Sequence, residues 1–112
     1  MKFWIVVCPI LPVTGMAIFP LILIKNASQK DNQVLINHEK IHLQQQLELL
    51  ILPFYVLYLL NYFINLARYR SPNKAYLQII FEREAYHSER DLQYLKKRRF
   101  CGWINFRSRT TL

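Results

Sequence analysis

Apolar residues run almost without interruption from Phe3 to Ile24, yet Pro9, Pro12, Gly15 and Pro20 punctuate them. Breakers at that density predict extended segments and turns, because a proline inside a helix removes a hydrogen bond and clashes with the preceding turn. Ala17 to Ile24 has the Ile and Phe content of a strand, and Pro20 would confine it to a sheet edge. Asn26 to Asn32 is polar and reads as a connection. Asp31 is a suitable N-cap for a helix from Asn32 to about Leu52. On that helix Val34, His38, Ile41, His42, Gln45 and Leu49 share one broad face, which predicts that both histidines point inward.

A second apolar run, Leu49 to Ala67, is broken only by tyrosines, Asn61, Asn65 and Pro53. Pro53 suits the first turn of a new helix, where its missing N–H costs nothing. From there to Ala67 such a helix spans about 22 Å, short of a hydrocarbon core of roughly 30 Å. The run therefore reads as a buried or membrane-dipping helix, with a transmembrane helix over 49–67 as the alternative. Ser71-Pro72 then opens a helix from about Asn73 to Arg98, and Gly102 is the nearest stop signal. The tail from Phe100 to Leu112 is expected to fold back as a short extended piece or to cover the site.

These elements predict a mainly α, α+β fold. Three helices carry the chemistry, and a short N-terminal extended or edge-strand segment precedes them. A length of 112 residues suits a single domain over 1–112, and 53% apolar content excludes disorder. The net charge of +8 is unevenly placed: four of the fifteen Lys and Arg residues precede Leu66, and Lys96, Lys97, Arg98 and Arg99 cluster near the end. A basic C-terminal region favours an anionic membrane surface as partner. No aromatic-interleaved motif accompanies it, so no nucleic acid is expected. Cys8 and Cys101 form no C-x-x-C pair, which fits a reducing compartment. Pro9 and Pro12 interrupt the signal-like start, and no small-residue cleavage site follows. The segment reads as part of the mature fold, and the location as cytoplasmic, soluble or membrane-peripheral.

One segment specifies chemistry. His38-Glu39-Lys40-Ile41-His42 reads H-E-x-x-H in a chain with only three histidines. On a helix the two imidazoles lie four residues apart on one face and reach a single Zn²⁺, while Glu39 addresses a water at the metal. Solvated helix faces also mix Glu, Lys and His, but seldom with this spacing. A catalytic zinc site needs a third protein ligand. The candidates are Glu82, Glu84, His87 and Glu89. If the small Ala85 marks close packing against the motif helix, Glu82 faces the metal, leaving Arg83 and Glu84 as solvated flank.

His38 to His42 followed by Glu82-Arg83-Glu84-Ala85 resembles the gluzincin metallopeptidases, and the CAAX prenyl protease branch in particular, whose E-x-x-A-D this chain matches at Glu82 and Ala85. Tyr86 stands where that motif has Asp, the residue that orients a histidine ligand. His38 to Gln45 also fits H-E-x-x-H-x-x-Q, and the whole chain resembles small bacterial proteins and the minimal gluzincins of about this length. The resemblance covers residues 17 to 89. It implies zinc held by His38, His42 and Glu82, Glu39 as general base, and hydrolysis of a peptide or protein substrate bound against an edge strand such as Ala17 to Ile24. Tyr86 and His87 are candidates for orienting a ligand or donating to the oxyanion, and Glu84 is the alternative third ligand.

Two other readings compete. Glu39-x-x-His42 and Glu84-x-x-His87 are both E-x-x-H, the pattern of di-iron carboxylate bundles, although the apolar helix supplies no further glutamate. Alternatively the chain is a non-enzymatic membrane-peripheral or partner-binding protein, which leaves the H-E-x-x-H run unexplained.

Overall fold

A computed structural model describes residues 2–106. These described residues form a mainly helical α+β structure with an N-terminal three-stranded mixed sheet and five helices. Strands β1 (Trp4–Val7), β2 (Gly15–Ile18) and β3 (Leu21–Ile24) lie in the order β1-β3-β2. β1 runs parallel to β3 with Trp4 opposite Leu21, and β2 runs antiparallel with Gly15 opposite Ile24. The expected strand over Ala17 to Ile24 is thus two strands with a turn at Phe19-Pro20. Pro20 sits in the turn and leaves the ladder intact, so β3 is central and the edge beside the motif helix is β2.

Helix α1 (Gln33–Glu48) begins one residue later than the sequence suggests. Asn32, rather than Asp31, is its N-cap, and its Oδ1 accepts from the Leu35 N–H at 3.1 Å. Most of the middle of α1 is buried, with Ile41 and Leu43 beside Asn37, His38, Glu39, His42, Gln45 and Gln46, and Lys40 and Gln44 half-buried on the remaining face. Leu43 joins Ala17, Ile22 and Ile24 in a core under the sheet. Asn37, His38, His42 and Gln45 turn toward the later helices, while Gln46 reaches the backbone of Ala17 and Phe19 beside β2.

The chain reverses at Leu50 and Ile51, both with positive φ. Such values are strained for bulky residues and end α1 decisively. Helix α2 (Leu52–Tyr69) carries Pro53 in its first turn, as expected, and meets α1 at a bend of 113°. Among the described residues, no single helix is long and apolar enough to cross a membrane. Phe54 packs with Ile79 and Phe81 in a second core beneath α2.

The helix expected over Asn73 to Arg98 is three: α3 (Pro72–Leu77), α4 (Ile80–Ser88) and α5 (Tyr94–Lys97). Ser71 caps α3, its Oγ accepting from the Lys74 N–H. Two asparagines from other helices impose the breaks. Asn61 of α2 accepts from the Ile80 N–H at 2.7 Å and so caps α4 from outside. Asn37 of α1 donates to the carbonyls of Ser88, Glu89 and Asp91 and thereby ends α4. The tail folds back as a 3-10 turn, Gly102–Phe106, rather than an extended piece. Trp103 rests on Phe81 and the Phe106 carbonyl accepts from Arg83, so this turn braces α4 away from the histidines. Arg107 to Leu112 lie outside the described residues.

Candidate metal centre

His38 and His42 project from α1 toward Glu82 in the first turn of α4. Their Nε2 atoms lie 3.2 and 3.1 Å from the same carboxylate oxygen, Glu82 Oε1. All three side chains are buried, and their ligand atoms fall within 4.8 Å of one another. The edge of a tetrahedron with metal–ligand bonds of 2.0–2.1 Å is about 3.3 Å, so these two separations suit one small ion.

The outer nitrogens decide what the inner ones offer. His42 Nδ1–H donates to Gln45 Oε1 at 2.7 Å. That direction is forced, because the Gln45 amide nitrogen faces the Phe81 carbonyl at 3.1 Å and Glu84 Oε1 at 2.8 Å, and a carbonyl can only accept. His38 Nδ1–H likewise donates to Glu89 Oε1 at 2.8 Å. In the neutral imidazoles both Nε2 lone pairs then face Glu82. Three acceptors converging on one buried point require a cation, either a proton or a metal ion.

The electrostatics carry the same imprint. Burial disfavours a charged His42, but the Glu82 carboxylate outweighs it and the imidazole rises to about 9. Burial acts against Glu82 too, yet His42 and His38 hold it below the usual carboxylate range. Tyr58 donates to Glu82 Oε2, and burial together with that carboxylate raises the phenol above its ordinary value.

Glu39 differs from its neighbours. It is 6% exposed, and among the described residues no hydrogen-bond donor reaches its carboxylate. Burial raises its pKa, with His42 and His38 opposing. Gly15 makes room for it: a Cβ there would lie 3.4 Å from Glu39 Oε2 and 3.2 Å from Leu35 Cδ1. Glu39, the two histidines and Glu82 line a cavity of about 1100 Å³ whose other walls include β2 and Tyr55 and Tyr58 of α2.

Along β2, Thr14 turns its carbonyl to Lys25 of the neighbouring chain segment. By alternation, the backbone groups of Gly15 and Ala17 point to the open edge. The Ala17 carbonyl is already held by Gln46 and the Tyr55 hydroxyl, each at 2.9 Å. Gly15 is left facing the cavity.

The other sequence candidates separate. Glu84 is fully buried rather than solvated, and it turns to the opposite side of α4. There Arg98 bridges it to Glu48, with Tyr94 and Gln45 also donating. An arginine and a tyrosine occupy the oxygens that a third ligand would need free. His87 is exposed against Phe106, 5.3 Å between ring centres, so the second E-x-x-H does not assemble beside the first. Tyr86 packs edge-on to His38 at 4.5 Å and shares a 2.9 Å hydrogen bond with Tyr76. The basic cluster is not one solvated patch either, since Arg98 is spent internally and Lys97 pairs with Asp91.

Sequence reasoning missed Tyr58, Gln46, Tyr55 and Gly15. Only Gly15 carried a local signal, as one of two glycines in the chain. No protein-family model, curated protein or solved structure matches this chain. The class that the site defines is a possible metal-binding His/His/Glu group in a helical α+β fold.

Proposed function

We propose that this protein is a zinc-dependent hydrolase of peptide bonds, with His38, His42 and Glu82 as ligands and Glu39 as general base. The observation that carries the reading is the meeting of three acceptor atoms beside a carboxylate that no donor among the described residues reaches, at the wall of a large cavity. When bound, zinc supplies Lewis acidity, acidifying a water and polarising a carbonyl oxygen. Gln45 and Glu89 hold the imidazoles in the tautomer that presents Nε2. Tyr58 occupies Glu82 Oε2 and leaves Oε1 to the histidines.

Glu39 takes a proton from the attacking water and returns it to the leaving nitrogen. Burial raises its pKa, which makes it a stronger base than an exposed carboxylate. The Tyr76–Tyr86 hydroxyl pair is the donor available to a developing oxyanion at the cavity wall. An extended substrate would pair its backbone with Gly15 on the open edge of β2.

Elemental analysis and a peptide-library hydrolysis assay test this together. About one zinc per chain is expected in the wild type and in Glu39→Gln, and none in His42→Ala or Glu82→Ala. Hydrolysis should fall about 100-fold or more in Glu39→Gln, the usual range for losing a general base. Equal cleavage by wild type and Glu39→Gln would remove Glu39 from the chemistry. Metal retained in Glu82→Ala would remove that ligand.

A further inference from the structure

The outer half of α2 is the least explained surface of the molecule. Leu52, Val56, Leu59, Leu60, Phe63 and Ile64 are all exposed, with Leu52 at 74%, Phe63 at 58% and Ile64 at 60%. At 100° per residue they fall on one half of the helix, together with Ala67. Leu50 at the preceding turn is 79% exposed and extends the surface. No charged residue occurs between Glu48 and Arg68. A continuous apolar half-cylinder of about 24 Å, at 1.5 Å per residue, exceeds what an isolated globule ordinarily leaves to water.

The charge at its end selects the occupant. Arg68, Arg70 and Lys74 are exposed just beyond the apolar stretch, and no acidic residue lies between Glu48 and Glu82. Tyr69 sits among them, with Lys74 Nζ 4.8 Å and the Arg68 guanidinium 6.0 Å from its ring centre. A second copy matches this surface poorly. Antiparallel α2 helices would set these cations against the partner's apolar tip at Leu50 and Leu52, and parallel ones would set like charges together. A bilayer offers both complements at once: acyl chains for the leucines and phosphates for the cations, with a tyrosine at the boundary.

We propose that α2 lies in the surface of an anionic bilayer, its Leu52-to-Ile64 face in the acyl region and Arg68, Arg70 and Lys74 at the phosphates. The helix lies along the surface and does not cross. Leu59, Tyr58 and Tyr55 also line the cavity that contains Glu39, so docking brings that cavity to the membrane surface. The proposal stands whether or not the site hydrolyses peptides.

Co-sedimentation with vesicles tests it, using phosphatidylcholine alone and phosphatidylcholine mixed with phosphatidylglycerol. The full chain should pellet with the mixed vesicles and progressively less as salt is raised. Leu60→Glu with Phe63→Glu should weaken binding at least tenfold. Arg68→Gln, Arg70→Gln and Lys74→Gln together should weaken it on the order of 100-fold, leaving any residual binding insensitive to salt. All five positions are exposed, and circular dichroism of each variant checks the fold. Wild-type protein that stays in the supernatant with both vesicles overturns the proposal, as does undiminished binding by the double glutamate variant. A lipid-free dimer that Phe63→Glu dissociates would assign the face to a second copy and overturn it equally.

Discussion

Gln45 and Glu89 decide which nitrogen of each histidine faces Glu82, and neither role is visible in residue spacing. The two histidines and Glu39 are legible because four residues make one helical turn. Gln45 is legible only as the last position of H-E-x-x-H-x-x-Q, and Glu89 only as one of several acids in the third helix. The resemblance puts an aspartate at position 86 to orient a histidine; here Tyr86 packs on His38 while Glu89, three residues on, takes its Nδ1–H. The protonation of His42 yields a test. Its pKa is raised from 6.5 to about 9, so at neutral pH an entering metal must displace a proton. Zinc affinity is expected to tighten about tenfold per pH unit from neutrality to near 9 and then level off. Competition with a zinc indicator measures this, and a flat profile would mean that no proton leaves. The linkage has the opposite sign for the metal-free fold. A raised histidine pKa stabilises it fully below the unfolded value of 6.5, and that contribution is lost as pH rises through about 9.

Among the elements, the helix expected from Asn73 to Arg98 shows where local reading stops. Its composition is helical throughout, and Ser71-Pro72 opens it as predicted. The interruptions come from Asn61 and Asn37, on helices distant in sequence, which satisfy the backbone groups that a continuous helix would have paired internally. Between the two breaks, Glu82 and Glu89 stand seven residues apart on α4 and its C-cap, which puts both on the side that faces His38. Arg98, just past α5, locks the arrangement by bridging Glu48 and Glu84, with its side chain 3% exposed. Arg98→Met is expected to destabilise the fold by about 3–5 kcal/mol, because it strands two buried carboxylates rather than merely removing an attraction. Urea unfolding followed by circular dichroism measures this. A loss below about 1 kcal/mol would show that water reaches the cluster.

At the scale of the molecule, α1 threads between the sheet and the later helices, and the candidate centre joins α1 to α4 across that seam. An ion bound there would tie two distant parts of the chain and favour the folded state by mass action. Zinc at about 100 times its dissociation constant should add about 2.7 kcal/mol. For a chain of this size that raises the melting temperature on the order of 10 °C. Differential scanning fluorimetry should show the shift in wild type, its reversal by a chelator, and none in His42→Ala. An equal shift in His42→Ala would place the zinc elsewhere.

What the sequence determined by itself is the short-range part. The H-E-x-x-H face, the new helix starting at Pro53, the cap at Ser71 and the mainly helical class all rest on periodicity and on residues that act within one turn. The partners of these features depend on chain segments 40 to 54 residues apart meeting in space. Tertiary packing alone buried Glu84 under Arg98, brought Glu89 and Tyr58 to the His/His/Glu group, made β2 rather than β3 an open edge, and left α2 with an uncovered apolar face. Such choices follow from which groups must find hydrogen bonds and which surfaces find cover once the chain has closed, and no local pattern encodes either.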